Sequence, residues 1–86
     1  MSVIVCEINL GVMNQSVYLQ TGDGFKHIAS IPVSDIGHTL AGLCYSCGAY
    51  NLKIKGPKDY LTGVIKDVRE SENKLYAMNK IEIEVM

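Results

Sequence analysis

Few residues in this chain carry chemistry beyond packing and solvation. Three cysteines (Cys6, Cys44, Cys47) and two histidines (His27, His38) are the candidate ligands and nucleophiles. Cys44-Tyr45-Ser46-Cys47 is a C-x-x-C, a spacing used by thiol oxidoreductases and by zinc sites. In an oxidoreductase the first cysteine sits at a helix N-terminus, where the dipole lowers its pKa. Here both cysteines fall near the C-terminal end of an expected helix, on its apolar stripe, where a reduced cysteine serves as a small core residue. A zinc ion would need His38, Cys44 and Cys47 together, with Cys6 as a fourth ligand. That would be a metal-stabilised domain, but one C-x-x-C without a second is a weak zinc signature. Neither histidine lies near an obvious nucleophile–base pair. No G-x-S-x-G, Walker A or Rossmann fingerprint occurs. A two-metal nuclease needs several converging carboxylates, yet Glu7 is the only acid in the first expected strand and Asn51–Lys55 brings lysines instead. No catalytic residue and no cofactor are therefore expected.

The elements that must position these residues follow from periodicity. Val3 to Leu10 alternates as a strand, with Ile4, Cys6, Ile8 and Leu10 on one face. After a short turn over Gly11–Gln15, Ser16 to Thr21 alternates again, so the pair reads as a hairpin. Gly22-Asp23-Gly24 is a turn signal, and Phe25 to Ile31 returns as a third strand ended by Pro32. Ser34 is the expected N-cap of a helix over about 35–47, with Ile36, Leu40, Leu43, Cys44 and Cys47 on its stripe and Gly48 as its stop. Gly37 and Gly42 each weaken that helix by about 1 kcal/mol relative to alanine, or let it lie close to the sheet. Asn51–Lys55 is a fourth strand. Pro57 opens a second helix striped by Tyr60, Leu61, Val64, Ile65 and Val68. Ser71–Lys74 reads as a polar loop before a last strand with Ile81, Ile83 and Val85.

The expected order is β-β-β-α-β-α-β in one domain over residues 1–86: an α/β fold with a mixed five-stranded sheet. A three-strand meander followed by two crossovers is the order of the ribonuclease H-like fold, whose sheet order is 3-2-1-4-5. On that order Glu7, Lys53 and Lys55, then Glu82 and Glu84, alternate in sign from strand to strand on the face away from the helices.

Ile4-Val5-Cys6-Glu7-Ile8-Asn9-Leu10-Gly11-Val12-Met13-Asn14-Gln15-Ser16-Val17 resembles the first phosphate loop of the actin-like ATPases, above all the heat-shock-70 type, which share the ribonuclease H-like core. In that family the strand ends in Asp-Leu-Gly, then Thr-Thr-Asn-Ser. Leu10, Gly11 and Asn14 match; Asn9 stands in place of the aspartate that holds metal-bound water, and Val12-Met13 replaces the threonine pair. The resemblance implies the fold and, as one reading, a nucleotide or phosphate-ligand binder using Asn9, Gly11 and Asn14 in the Gly11–Gln15 turn. A two-lobed ATPase does not fit in 86 residues.

Charge points to a different kind of site. The net charge is −1 and 20% of residues are charged, so no basic excess exists to bind nucleic acid. Residues 1–43 carry only Glu7, Asp23, Lys26 and Asp35, while residues 44–86 carry the other thirteen charges. The first half has little charged surface of its own. With both helices on one face, the other face presents Val3, Val5 and Tyr18, and Phe25 and His27 lie on the third strand, a free edge. Exposed apolar strips and unblunted edges invite partners. Tyr45, Tyr50, Tyr60 and Tyr76 add amphipathic rings to the second half. The expected function is a small non-catalytic protein-interaction module, self-associating as a homodimer through the open sheet face or an edge strand. The absent cationic n-region, the absent apolar span and the odd cysteine count lead to an expected cytoplasmic location with no membrane partner.

Overall fold

The computed structural model describes residues 2–49, 51–75 and 80–85, with the backbone alone at 72–75. Five strands and two α-helices follow the expected order: β1 (Val3–Glu7), β2 (Asn14–Thr21), β3 (Gly24–Pro32), α1 (Ile36–Cys47), β4 (Asn51–Gly56), α2 (Lys58–Leu75) and β5 (Lys80–Val85). The sheet order is β3-β2-β1-β4-β5. β1–β2 and β2–β3 pair antiparallel, while β1–β4 and β4–β5 pair parallel. Both parallel connections step across the sheet in the same direction. With the usual right-handed sense, both helices then pack on the same face.

Strand alternation supplies that face with Ile4, Cys6, Val17, Leu52 and Ile54, each at most 1% exposed. Ile36, Leu40 and Cys44 come down from α1, and Leu61, Val64 and Val68 from α2, at the three-to-four spacing of a helix stripe. Gly48 ends α1 with φ 65°, a left-handed geometry that glycine adopts without steric cost. Its amide and that of Ala49 donate back to the carbonyls of Tyr45 and Cys44 at 3.2 and 2.9 Å.

Several boundaries differ from the sequence expectation. β1 stops at Glu7; Ile8 remains buried, but Leu10 is 55% exposed because the chain has already turned. Ser34 does not cap α1. Val33–Asp35 forms a short 3-10 turn, Asp35 is the N-cap without a side-chain capping bond, and its carboxylate accepts from Thr39 Oγ1 at 3.3 Å. The polar stretch Ser71–Lys74 is helical and α2 runs to Leu75, since it contains neither glycine nor proline to stop it. Ile83 and Val85 share the face of Ile54 and Gly56 by register yet are half exposed, because β5 is an edge strand beyond the helices. Tyr50 and Tyr76 lie outside the described residues. Tyr45 is exposed, and the half-buried Tyr60 donates its hydroxyl to the Val33 carbonyl.

The two interior glycines of α1 are not equivalent, and neither serves approach to the sheet. A Cβ on Gly37 would collide with the Asp67 side chain and lie 2.9 Å from the Val64 carbonyl oxygen, so Gly37 lets α1 and α2 cross closely. A Cβ on Gly42 would meet nothing within 4 Å. Gly37→Ala is therefore expected to destabilise by about 1–3 kcal/mol through overpacking. Gly42→Ala is expected to stabilise by about 0.5–1 kcal/mol through helix propensity. Urea unfolding of both variants checks the opposite signs.

Candidate functional site

The face of the sheet away from the helices is a ladder of cross-strand rows. One row runs Phe25–Gln20–Val3–Asn51–Lys80, the next His27–Tyr18–Val5–Lys53–Glu82. On the β1, β4 and β5 side a third row runs Glu7–Lys55–Glu84. Val3 and Val5 are half-buried by their neighbours, whereas Tyr18 and Phe25 are 38% and 66% exposed. The rings of Tyr18 and His27 meet edge to face at 5.5 Å, an arrangement that suits the ring quadrupole. The β2–β3 side of this face is thus aromatic and uncharged. From β1 across β4 to β5 the charges alternate in sign: Glu7 opposes Lys55, Lys55 opposes Glu84, and Lys53 opposes Glu82. Lys80 Nζ lies 2.9 Å from Glu82 Oε1. That hydrogen bond raises the Lys80 pKa and lowers that of Glu82. The structure brings Val3, Val5, Tyr18, Phe25 and His27 onto one surface. Ile28 falls opposite the shift in β2–β3 pairing at Val17/Tyr18, an irregularity that twists an edge strand.

The turn between β1 and β2 is closed by a residue that composition and periodicity do not flag. Gln15 is 1% exposed. Its Nε2 donates to the Asn9 and Val12 carbonyls at 2.9 and 3.1 Å, and its Oε1 accepts from the Asn9 amide at 2.7 Å. Asn9 Oδ1 in turn accepts from the Gly11 amide at 2.9 Å, and the Val12 amide donates to the Asn9 carbonyl at 3.2 Å. Asn9, Gly11 and Asn14 do lie together on this turn, beside a hollow of about 230 Å³ that Asn9 and Asn14 line with Glu7 and Tyr18. The amides of Asn9, Gly11 and Val12, however, are spent on the protein itself. A phosphate there would face the Glu7 carboxylate with those donors already engaged.

The cysteines separate. Cys6 and Cys44 are buried thiols, and Cys47 is exposed at the end of α1 rather than on its stripe. Burial, with Glu7 adding a smaller effect, pushes the Cys6 pKa up to about 11, the opposite of an activated thiol. His38 stands in the first turn of α1, exposed, with Nε2 3.7 Å from Asp67 Oδ1. Among the described residues the group that could hold a metal is His38, Asp67 and Glu70, so the structure does not bring Cys44 and Cys47 to His38. No protein-family model matches this chain, and no curated protein matches it.

Gln15→Leu is similar in size but takes the side-chain partner from the Asn9 amide and the Val12 carbonyl, and is expected to cost about 2 kcal/mol in urea unfolding. Gln15→Glu is expected to be no better, because it turns two donors into acceptors that face carbonyl oxygens. Cys6 sets an alkaline limit. Its folded pKa lies above the unfolded value near 9.0, so its contribution is complete below pH 9 and is lost as pH rises through 11. The loss is at most about 2–3 kcal/mol by the linkage relation. The slope of stability between those pH values is expected to flatten in Cys6→Ala, as chemical denaturation at stepped pH would show.

Proposed function

We propose that this protein is a non-catalytic protein-interaction module that associates with a second copy of itself through the open face of its sheet. The observation that carries the reading is the one-sided placement of the helices. It leaves Val3, Val5, Tyr18, Phe25 and His27 on a face that no described element covers. Stacked sheets lie about 10 Å apart and interleave such side chains. The face is also self-complementary. Laid against a copy with strands reversed, its aromatic side meets the aromatic side. The row bearing Lys80 then meets the row bearing Glu84.

The strand order and connections support a ribonuclease H-like assignment of this core. The segment Ile4–Val17 then serves as a structural hairpin, held by Gln15 and Asn9, rather than as a phosphate loop. A cytoplasmic setting accords with three reduced cysteines. Among the described residues no helix is long and apolar enough to cross a membrane.

Sedimentation velocity at two concentrations tests the association. A species of about twice the 9.4 kDa chain is expected at the higher concentration. Phe25→Glu and Tyr18→Glu, both at exposed positions, are expected to return it to monomer with the far-ultraviolet circular dichroism unchanged. A strictly monomeric wild type, or a dimer that survives both substitutions, would sink the proposal.

A further inference from the structure

From the helix side of the molecule, independently of the sheet face, we infer that His38, Asp67 and Glu70 form a binding site for a divalent transition-metal ion of the zinc class. One ligand atom from each residue lies within 4.8 Å of the other two. The 3.7 Å between His38 Nε2 and Asp67 Oδ1 is close to the roughly 3.4 Å that separates two ligands held about 2.1 Å from a shared tetrahedral ion.

The backbone carriers of these groups are fixed. Gly37, the neighbour of His38, sits where α1 and α2 touch, and a side chain there would strike Asp67. The Tyr60 hydroxyl ties α2 to the Val33 carbonyl just before α1. Asp67 and Glu70, three residues apart on α2, project from the same side of that helix. The side chains themselves are solvated and can close by rotamer adjustment. Two carboxylates this close repel, and a bound cation converts that repulsion into two favourable contacts.

The donor set chooses the ion. An imidazole nitrogen with two carboxylate oxygens suits zinc, cobalt or manganese better than magnesium or calcium, which take oxygen alone. With three protein ligands, a tetrahedral ion keeps one position for water.

The test titrates chelator-treated protein with zinc chloride by calorimetry, on a Cys47→Ser background that removes the exposed thiol. One saturable site is expected. Cobalt chloride in its place is expected to give visible absorption without a thiolate charge-transfer band. His38→Ala and Glu70→Gln, both at exposed positions, are each expected to weaken zinc binding at least about tenfold with unchanged circular dichroism. No saturable binding at millimolar zinc, binding indifferent to both substitutions, or a cobalt–thiolate band would each overturn the inference.

Discussion

The hand of the two crossover connections decides what surfaces this protein has. β3 to β4 and β4 to β5 both step the same way across the sheet, so a right-handed return puts both helices on one side. Every strand then has one face that must be apolar and one that must live without a helix. The split is visible in single residues of β1: Ile4 and Cys6 are fully buried, while Val3 and Val5 on the other side are only half-buried. It also forces α1 and α2 to be neighbours, since both must cover the same layer. Gly37 at their crossing is a consequence of that crowding.

Two backbone demands in this fold are met by side chains rather than by regular structure. The β1–β2 turn leaves amides and carbonyls that no ladder can pair, and buried polar groups need partners. Gln15 meets this with both ends of its amide, and Asn9 completes the closure. Tyr60 performs the same service before α1, where the Val33 carbonyl receives its hydroxyl. Its position near Asp67 has an electrostatic side effect: burial first, and the Asp67 charge second, raise the Tyr60 pKa. The neutral hydroxyl is therefore kept as a donor.

Alternation and helical spacing make the element order readable, because each β-strand and each helix stripe repeats its signal several times; the expected sheet order comes from the likeness of that element order to the ribonuclease H-like fold. Features resting on one residue were harder to read. Gln15 is polar and follows a turn, so nothing local marks it as buried; its role depends on the carbonyls of Asn9 and Val12. The helix over Ser71–Leu75 was hidden by polarity, although a helix can continue through polar residues where no glycine or proline stops it. The C-x-x-C misled because the spacing places Cys44 inward and lets Cys47, three positions on, rotate out at the helix end. For the cluster at His38, two of the three side chains come from α2, and only the helix crossing brings them within reach. The alternating charges of Glu7, Lys53, Lys55, Glu82 and Glu84 were legible in advance, because register follows from pleat once strand order is set.

The uneven charge along the chain becomes a division in space. The meander occupies one side of the sheet and the crossover half the other, so a boundary in sequence near residue 44 becomes a boundary running down the open face between β1 and β4. On the meander side of the open face the exposed groups are rings and uncharged polar chains, with Glu7 of β1 at the boundary. On the other they are lysines and glutamates in opposed pairs. Uncharged rings carry area without a large desolvation cost, whereas opposed charges set orientation more than affinity. In the proposed dimer, a surface with both, side by side, would distinguish an aligned copy from one rotated by a half turn. In the rotated case, these charge pairs would be desolvated against Phe25 and Tyr18. A net charge near zero thus conceals a face with a built-in direction.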